Sequence, residues 1–164
     1  MKTHKEYMEL ALEEARKAEE IDEVPVGCII VCDGEILSRG HNLKEQLNQA
    51  YAHAEMMAIQ KAAEIKGNWC LSDCDLYVTL EPCMMCTGII NLSRIRTVYY
   101  GTQDPKGGCL ETVIDLKKIN RLNHYPKIVG NILQKECSQI LTNYFRKKRE
   151  ITKEKKQKNK ANIQ

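Results

Sequence analysis

The sequence has no apolar run that approaches the ~20 residues needed to cross a bilayer. Its longest is Val26-Gly27-Cys28-Ile29-Ile30-Val31-Cys32. The first residues, Met1-Lys2-Thr3-His4-Lys5-Glu6, lack the apolar core of an export signal. Secretion and membrane insertion are therefore not expected, and a cytoplasmic location is. Repeats are missing, and so is any linker that would divide the 164 residues into two units. That length suits one domain, which buries roughly 70% of its unfolded surface without cross-links. An excess of one charge sign is lacking too, with a formal net charge of +3. The charge is nevertheless unevenly placed. From Arg146 onward nine basic residues face two acidic ones, a net +7, which leaves −4 for residues 1–145. The expected organisation is a domain over residues 1–149 and a basic tail without fixed structure over 150–164. Such a tail is either a solvated end or a track for a phosphate backbone.

Cysteine is what the chain has in quantity: Cys28, Cys32, Cys70, Cys74, Cys83, Cys86, Cys109 and Cys137. With no export signal these thiols are expected to stay reduced, and spaced cysteines then point to metal or catalysis. Cys28 and Cys32 stand at even spacing in an apolar strand-like run and are expected to pack on one buried face. Cys70 and Cys74 have no histidine or further thiol pair beside them, so packing is expected there also.

The patterning alternates between helix and strand. Met8, Ala11, Leu12, Ala15 and Ala18 recur at helical spacing over residues 5–20. The apolar run 26–32 reads as a strand, Asp33-Gly34 as a hairpin turn, and 35–39 as the returning strand. A loop over 40–52 precedes a helix over 53–65. Strands are expected at 75–80, 95–100 and 126–129, with a helix opening at Pro82, a loop over 101–108, a short helix over 111–119 and a terminal helix over 132–149. This is an α/β pattern, a central sheet between helices.

Two short motifs carry chemistry. His53-Ala54-Glu55 and Pro82-Cys83-Met84-Met85-Cys86 each open a predicted helix directly after a loop or strand. Zinc binds imidazole nitrogen and thiolate sulfur in a tetrahedron, and Cys-x-x-Cys at a helix start aims two sulfurs at one point. His53, Cys83 and Cys86 make three ligands, whereas a closed structural site takes four. The fourth position is then free for a water whose pKa zinc lowers to about 7. Helix N-termini favour thiolate over thiol. Glu55, two residues past the histidine, is placed to face that water without ligating the metal.

Around these motifs stand Glu23-Val24-Pro25-Val26-Gly27, Gly40-His41-Asn42, Leu76 through Cys86, Tyr100-Gly101, Asp104 through Gly108, and Asn123-His124. With them the chain resembles the bacterial tRNA-specific adenosine deaminases, of the cytidine and deoxycytidylate deaminase superfamily, over roughly residues 5–150. The resemblance implies a cytidine-deaminase-like three-layer α/β/α fold with a mixed sheet of about five strands. It implies one Zn2+ per chain on His53, Cys83 and Cys86, with Glu55 moving protons. Adenosine at the wobble position of a tRNA anticodon stem-loop would become inosine, with release of ammonia. A homodimer is implied as well. By the same resemblance Asn42 hydrogen-bonds the base, Val26 and Ala54 line its pocket, and Asp104, Lys106, Tyr144, Phe145 and Arg146 contact RNA. Read only as residues, Asn42 and Asp104 are also common turn formers, and Tyr144 and Phe145 are also packing residues.

Two other functions fit parts of the pattern. A deaminase of a free nucleobase or nucleoside, of guanine or cytosine type, would use the same zinc centre but leaves the basic tail and the Asp104-Pro105-Lys106 loop unexplained. A non-catalytic, zinc-stabilised RNA-binding module would not need Glu55 and would recruit a fourth Cys or His.

Overall fold

Side chains along a strand alternate between its two faces, and here both faces are apolar, which requires a layer on each side. In the computed structural model, which describes residues 1–163, five strands form one sheet. They are β1 (Gly27–Cys32), β2 (Glu35–His41), β3 (Cys74–Leu80), β4 (Thr97–Thr102) and β5 (Lys127–Val129), in the order β2-β1-β3-β4-β5. β1 runs antiparallel to β2 and β3, whereas β3, β4 and β5 are parallel. Cys28, Ile30, Leu76, Val78 and Val98 point to one face, where Ala58, Ile59 and Ala62 of α3 (Ala54–Lys66) and Ile90 of α4 (Met84–Leu92) cover them. Ile29, Val31 and Tyr77 point to the other, against Tyr7, Met8, Ala11 and Leu12 of α1 (His4–Glu20) and Cys137 of α5 (Gln134–Ile163). The three-layer α/β/α arrangement with a mixed sheet is the expected one.

Local chemistry starts and stops these elements. α1 opens on a reciprocal cap: the Thr3 hydroxyl accepts from the Glu6 amide at 3.2 Å, and the Glu6 carboxylate accepts from the Thr3 amide at 2.7 Å. Asp33 and Gly34 turn the first hairpin with φ of 50° and 78°, the left-handed pair that matches strand twist.

Four expectations need correction. A short helix, α2 (Lys44–Leu47), interrupts the loop expected over 40–52. β4 continues through Gly101 to Thr102 where a loop is expected from 101, because Thr102 still pairs with Leu80 of β3. Residues 111–119 hold only one 3₁₀ turn, Leu116–Lys118, and the amides of Leu110, Glu111 and Thr112 donate to the Glu81 carboxylate. α5 does not end near 149 but stays helical to Ile163, so the expected unstructured tail is a helix over its described residues. No glycine or proline follows Gly130 to break it, and Lys, Glu, Gln and Ala are good helix formers.

The cysteines need a fifth correction. Cys32 and Cys74 are opposite one another in the β1–β3 register, their Cα atoms 4.5 Å apart and their sulfurs bonded. The structure joins them, where packing alone is expected. The antiparallel register, set by the burial of both strands, brings them together across 42 residues of chain. Cys28, Cys70, Cys83, Cys86, Cys109 and Cys137 are free thiols.

Candidate active site

His53 and Cys83 are the residues immediately before α3 and α4, both in extended backbone, and Cys86 lies in the first turn of α4. Because α3 and α4 pack side by side on one face of the sheet, their N-terminal ends meet. His53 Nδ1 lies 3.6 Å from both Cys83 Sγ and Cys86 Sγ, and the three ligand atoms are all within 4.8 Å of one another. A tetrahedral zinc, about 2.05 Å from nitrogen and about 2.3 Å from sulfur, separates the two atoms by about 3.6 Å. The side chains therefore fit a zinc ion without rearrangement, with no fourth protein ligand in the cluster.

Electrostatics agree with that chemistry. The hydrogen bond from Cys86, helped by His53 and opposed by burial, holds the Cys83 thiol down to about 4. The same bond and burial push Cys86 far up. Cys83 also raises the pKa of His53. Glu55, 4% exposed in the first turn of α3, is raised above the usual carboxylate range by burial. A carboxyl whose charged form is disfavoured by burial in this way is suited to proton transfer with a reactant.

Above the ligands is a cavity of about 170 Å³ lined by Val24, Val26, Asn42, Lys44, His53, Ala54, Glu55, Leu80, Glu81, Cys83 and Asp104. The structure thus brings Val26, Asn42, Ala54 and Asp104 together with His53, Glu55 and Cys83 around one cavity. Asn42 is held by its neighbours: its amide donates to the Val24 carbonyl at 3.3 Å and its oxygen accepts from the Lys44 amide at 3.2 Å. Asp104 Oδ1 accepts from the amides of Lys106 and Gly107, each at 3.1 Å, which shapes the turn and leaves Lys106 exposed.

Lys106 and Phe145 do not reach the cavity. They line an adjoining groove with Asp104, Pro105 and Arg149 that shares Val24, Leu80 and Asp104 with it. Phe145 is 44% exposed, whereas Tyr144 is buried and its hydroxyl donates to Asp22 at 3.3 Å. Tyr144 thus anchors α5 to the loop after α1. Arg146 lines neither depression, and it donates to the Asn143 side chain at 3.2 Å.

One residue of the site has no role in the sequence reading. Glu81, 2% exposed, accepts from the amides of Leu110, Glu111 and Thr112 at 3.1, 2.9 and 3.1 Å and from the Thr112 hydroxyl. It ties the loop that follows Asp104 and Lys106 to the strand end that leads into Cys83. A carboxylate preceding Pro82 is visible in the sequence, but its partners lie some thirty residues on.

Comparisons with known proteins converge on this architecture. The family described as the cytidine and deoxycytidylate deaminase zinc-binding region matches residues 1–102. A tRNA-specific adenosine deaminase of Bacillus subtilis (strain 168) is 47% identical over 150 residues, 92% of this chain and 91% of that protein. One from Agrobacterium fabrum is 45% identical over 148 residues, covering 90% and 96%. A solved structure from work on A-to-I editing by tRNA:A34 deaminases at the wobble position superposes with a TM-score of 0.80 and 45% identity, over 83% of this chain and 99% of that one.

Proposed function

Because the chain belongs to the tRNA-specific adenosine deaminases, within the cytidine and deoxycytidylate deaminase family, we propose that it hydrolyses adenosine to inosine at the wobble position of a tRNA anticodon. The observation that carries the reading is the meeting of His53, Cys83 and Cys86 in one cluster, with His53, Cys83 and buried Glu55 lining one cavity. His53, Cys83 and Cys86 hold one zinc ion per chain. Bound there, zinc would lower the pKa of a coordinated water to about 7.

The protein's own residues do the rest. Glu55 takes a proton from the attacking water, passes it to purine N1, and later protonates the departing amine. Water adds at C6 and the C6–N bond breaks, so adenosine and water become inosine and ammonia. Asn42, Val26 and Ala54 hold the base, while Asp104, Lys106 and Phe145 meet the neighbouring nucleotides from the groove. An anticodon loop presents its base already unpaired, which reduces the few kcal/mol needed to extrude it.

Residues 1–149 carry this deaminase, and the chain acts in the cytoplasm. No helix among the described residues is long and apolar enough to cross a membrane. A second copy is proposed to cover the apolar depression beside α4, where Met84 and Leu92 are 66% and 64% exposed and Ile114, Leu116 and Ile119 complete the wall. Sedimentation should give a dimer that Leu92→Glu converts to monomer.

The decisive assay sets zinc-loaded protein against an anticodon stem-loop with a wobble adenosine and, separately, against guanine, cytosine, cytidine and adenosine. Inosine in the stem-loop alone is the expected result. Ammonia from a free base with the stem-loop untouched would keep the proton chemistry and overturn the substrate.

A further inference from the structure

The last helix has an anchored part and a free part. Tyr144 and Lys148 fix it to Asp22, with the Lys148 ammonium 2.6 Å from the carboxylate. From Arg149 to Ile163 every residue is exposed, so no packing explains the composition of this stretch. Four of its six cations gather on one side of the helix, with Lys155 and Lys158 on the other. Arg149, Lys153, Lys156 and Lys160 stand at i, i+4, i+7 and i+11 and share one face. Glu150 and Glu154, the only acids beyond Arg146, sit together about 110° away. None of those four cations has an ion-pair partner among the described residues.

The stripe also begins in a telling place. Arg149 lines the groove that Asp104, Lys106 and Phe145 form beside the cavity, and with Lys153 it lines the next depression along α5. From there the stripe leads away for about 16 Å, at 1.5 Å per residue. A nucleic-acid duplex carries one negative charge per ~1.7 Å of its axis, enough to meet each cation. A lipid surface is a poorer match, because an interfacial helix needs a continuous apolar face. Beyond Phe145 the large apolar residues are Ile151 and Ile163, on different sides.

We infer that Arg149, Lys153, Lys156 and Lys160 form an arm that follows the phosphate backbone of the stem whose loop enters the site. This rests on the RNA reading above and adds to it a surface outside the groove.

The test compares two triple variants that remove equal charge from one helix. Lys153→Ala/Lys156→Ala/Lys160→Ala strips the stripe, and Lys147→Ala/Lys155→Ala/Lys158→Ala strips the other side. Alanine preserves helicity in both. Binding of the anticodon stem-loop is titrated at several salt concentrations, alongside the deamination assay and sedimentation with phosphatidylserine vesicles. The stripe variant should flatten the dependence of log affinity on log salt by about 2, since each phosphate left without its cation removes about 0.7–0.9 from the slope. The control variant should keep the wild-type slope, and turnover of saturating stem-loop should be unchanged in both. Equal slopes in the two variants would reduce the arm to general charge and overturn it. So would vesicle binding lost only in the stripe variant with the RNA slope unmoved. Wild-type protein that deaminates the stem-loop while the stripe variant shows no change sinks the arm alone. Wild-type protein that neither binds nor deaminates it sinks the RNA reading, and the arm with it.

Discussion

Two pairs of sulfurs lie close together in this molecule, and they differ in what surrounds them. Cys83 and Cys86 are three residues apart at a helix start and face His53, and Cys83 opens onto a cavity whose wall includes a buried carboxyl. Cys32 and Cys74 are 42 residues apart, close the end of an antiparallel pair, and are bonded to each other. The second pair even has a possible third ligand in Asp73, but that carboxylate is engaged by Lys66. Thiol proximity alone therefore does not make a metal centre. A neutral third donor, a free coordination position and a cavity do, because the metal must displace protons and still admit a reactant.

The comparison can be broken most sharply by removing one sulfur from each pair. Cys83→Ala should lose both zinc and deamination, whereas Cys32→Ala should keep zinc at the wild-type ratio and keep turnover. Zinc loss by metal analysis in the Cys32 variant would mean that the two pairs are not independent. Glu55→Gln separates metal from proton transfer: zinc should stay, while turnover falls about 10²–10⁴-fold, the range general acid–base groups contribute. Near wild-type turnover would take Glu55 out of the chemistry.

Reducing the Cys32–Cys74 bond should leave the zinc site alone and act on stability. For a sequence separation of 42, the chain-entropy argument gives up to about 4 kcal/mol, read as a shift in the denaturant midpoint between oxidised and reduced protein. An unchanged midpoint would show that the pair does not cross-link the protein in solution. The smallest effect belongs to Asp73→Asn, which breaks a partly exposed ion pair and should cost less than about 1 kcal/mol. Metal content that dropped with this change would make Asp73 a ligand and the second pair a metal site after all.

Much of the site is legible in the sequence because its chemistry is local. His53-x-Glu55 and Cys83-x-x-Cys86 each sit within one helical turn, so spacing alone aims the side chains. Val26 and Asn42 are reached through the family resemblance, and the structure places both in the cavity wall. Glu81 carries no such signal, since three amides about thirty residues downstream are what make it a positioning residue. The resemblance makes Tyr144 an RNA contact, but its partner Asp22 lies 122 residues earlier and holds it in the packing.

Residue order along the chain suffices for the alternation of helix and strand, the Asp33-Gly34 turn and the spacing of His53, Glu55, Cys83 and Cys86. Those depend on backbone preference and on neighbours within a few positions. Only in the folded molecule do the starts of α3 and α4 converge, does Cys32 face Cys74, and does Glu81 capture the loop after Gly108. Contacts of that kind are set by strand register and by the packing of two layers on one sheet, and no periodicity in a single segment encodes its partner's position.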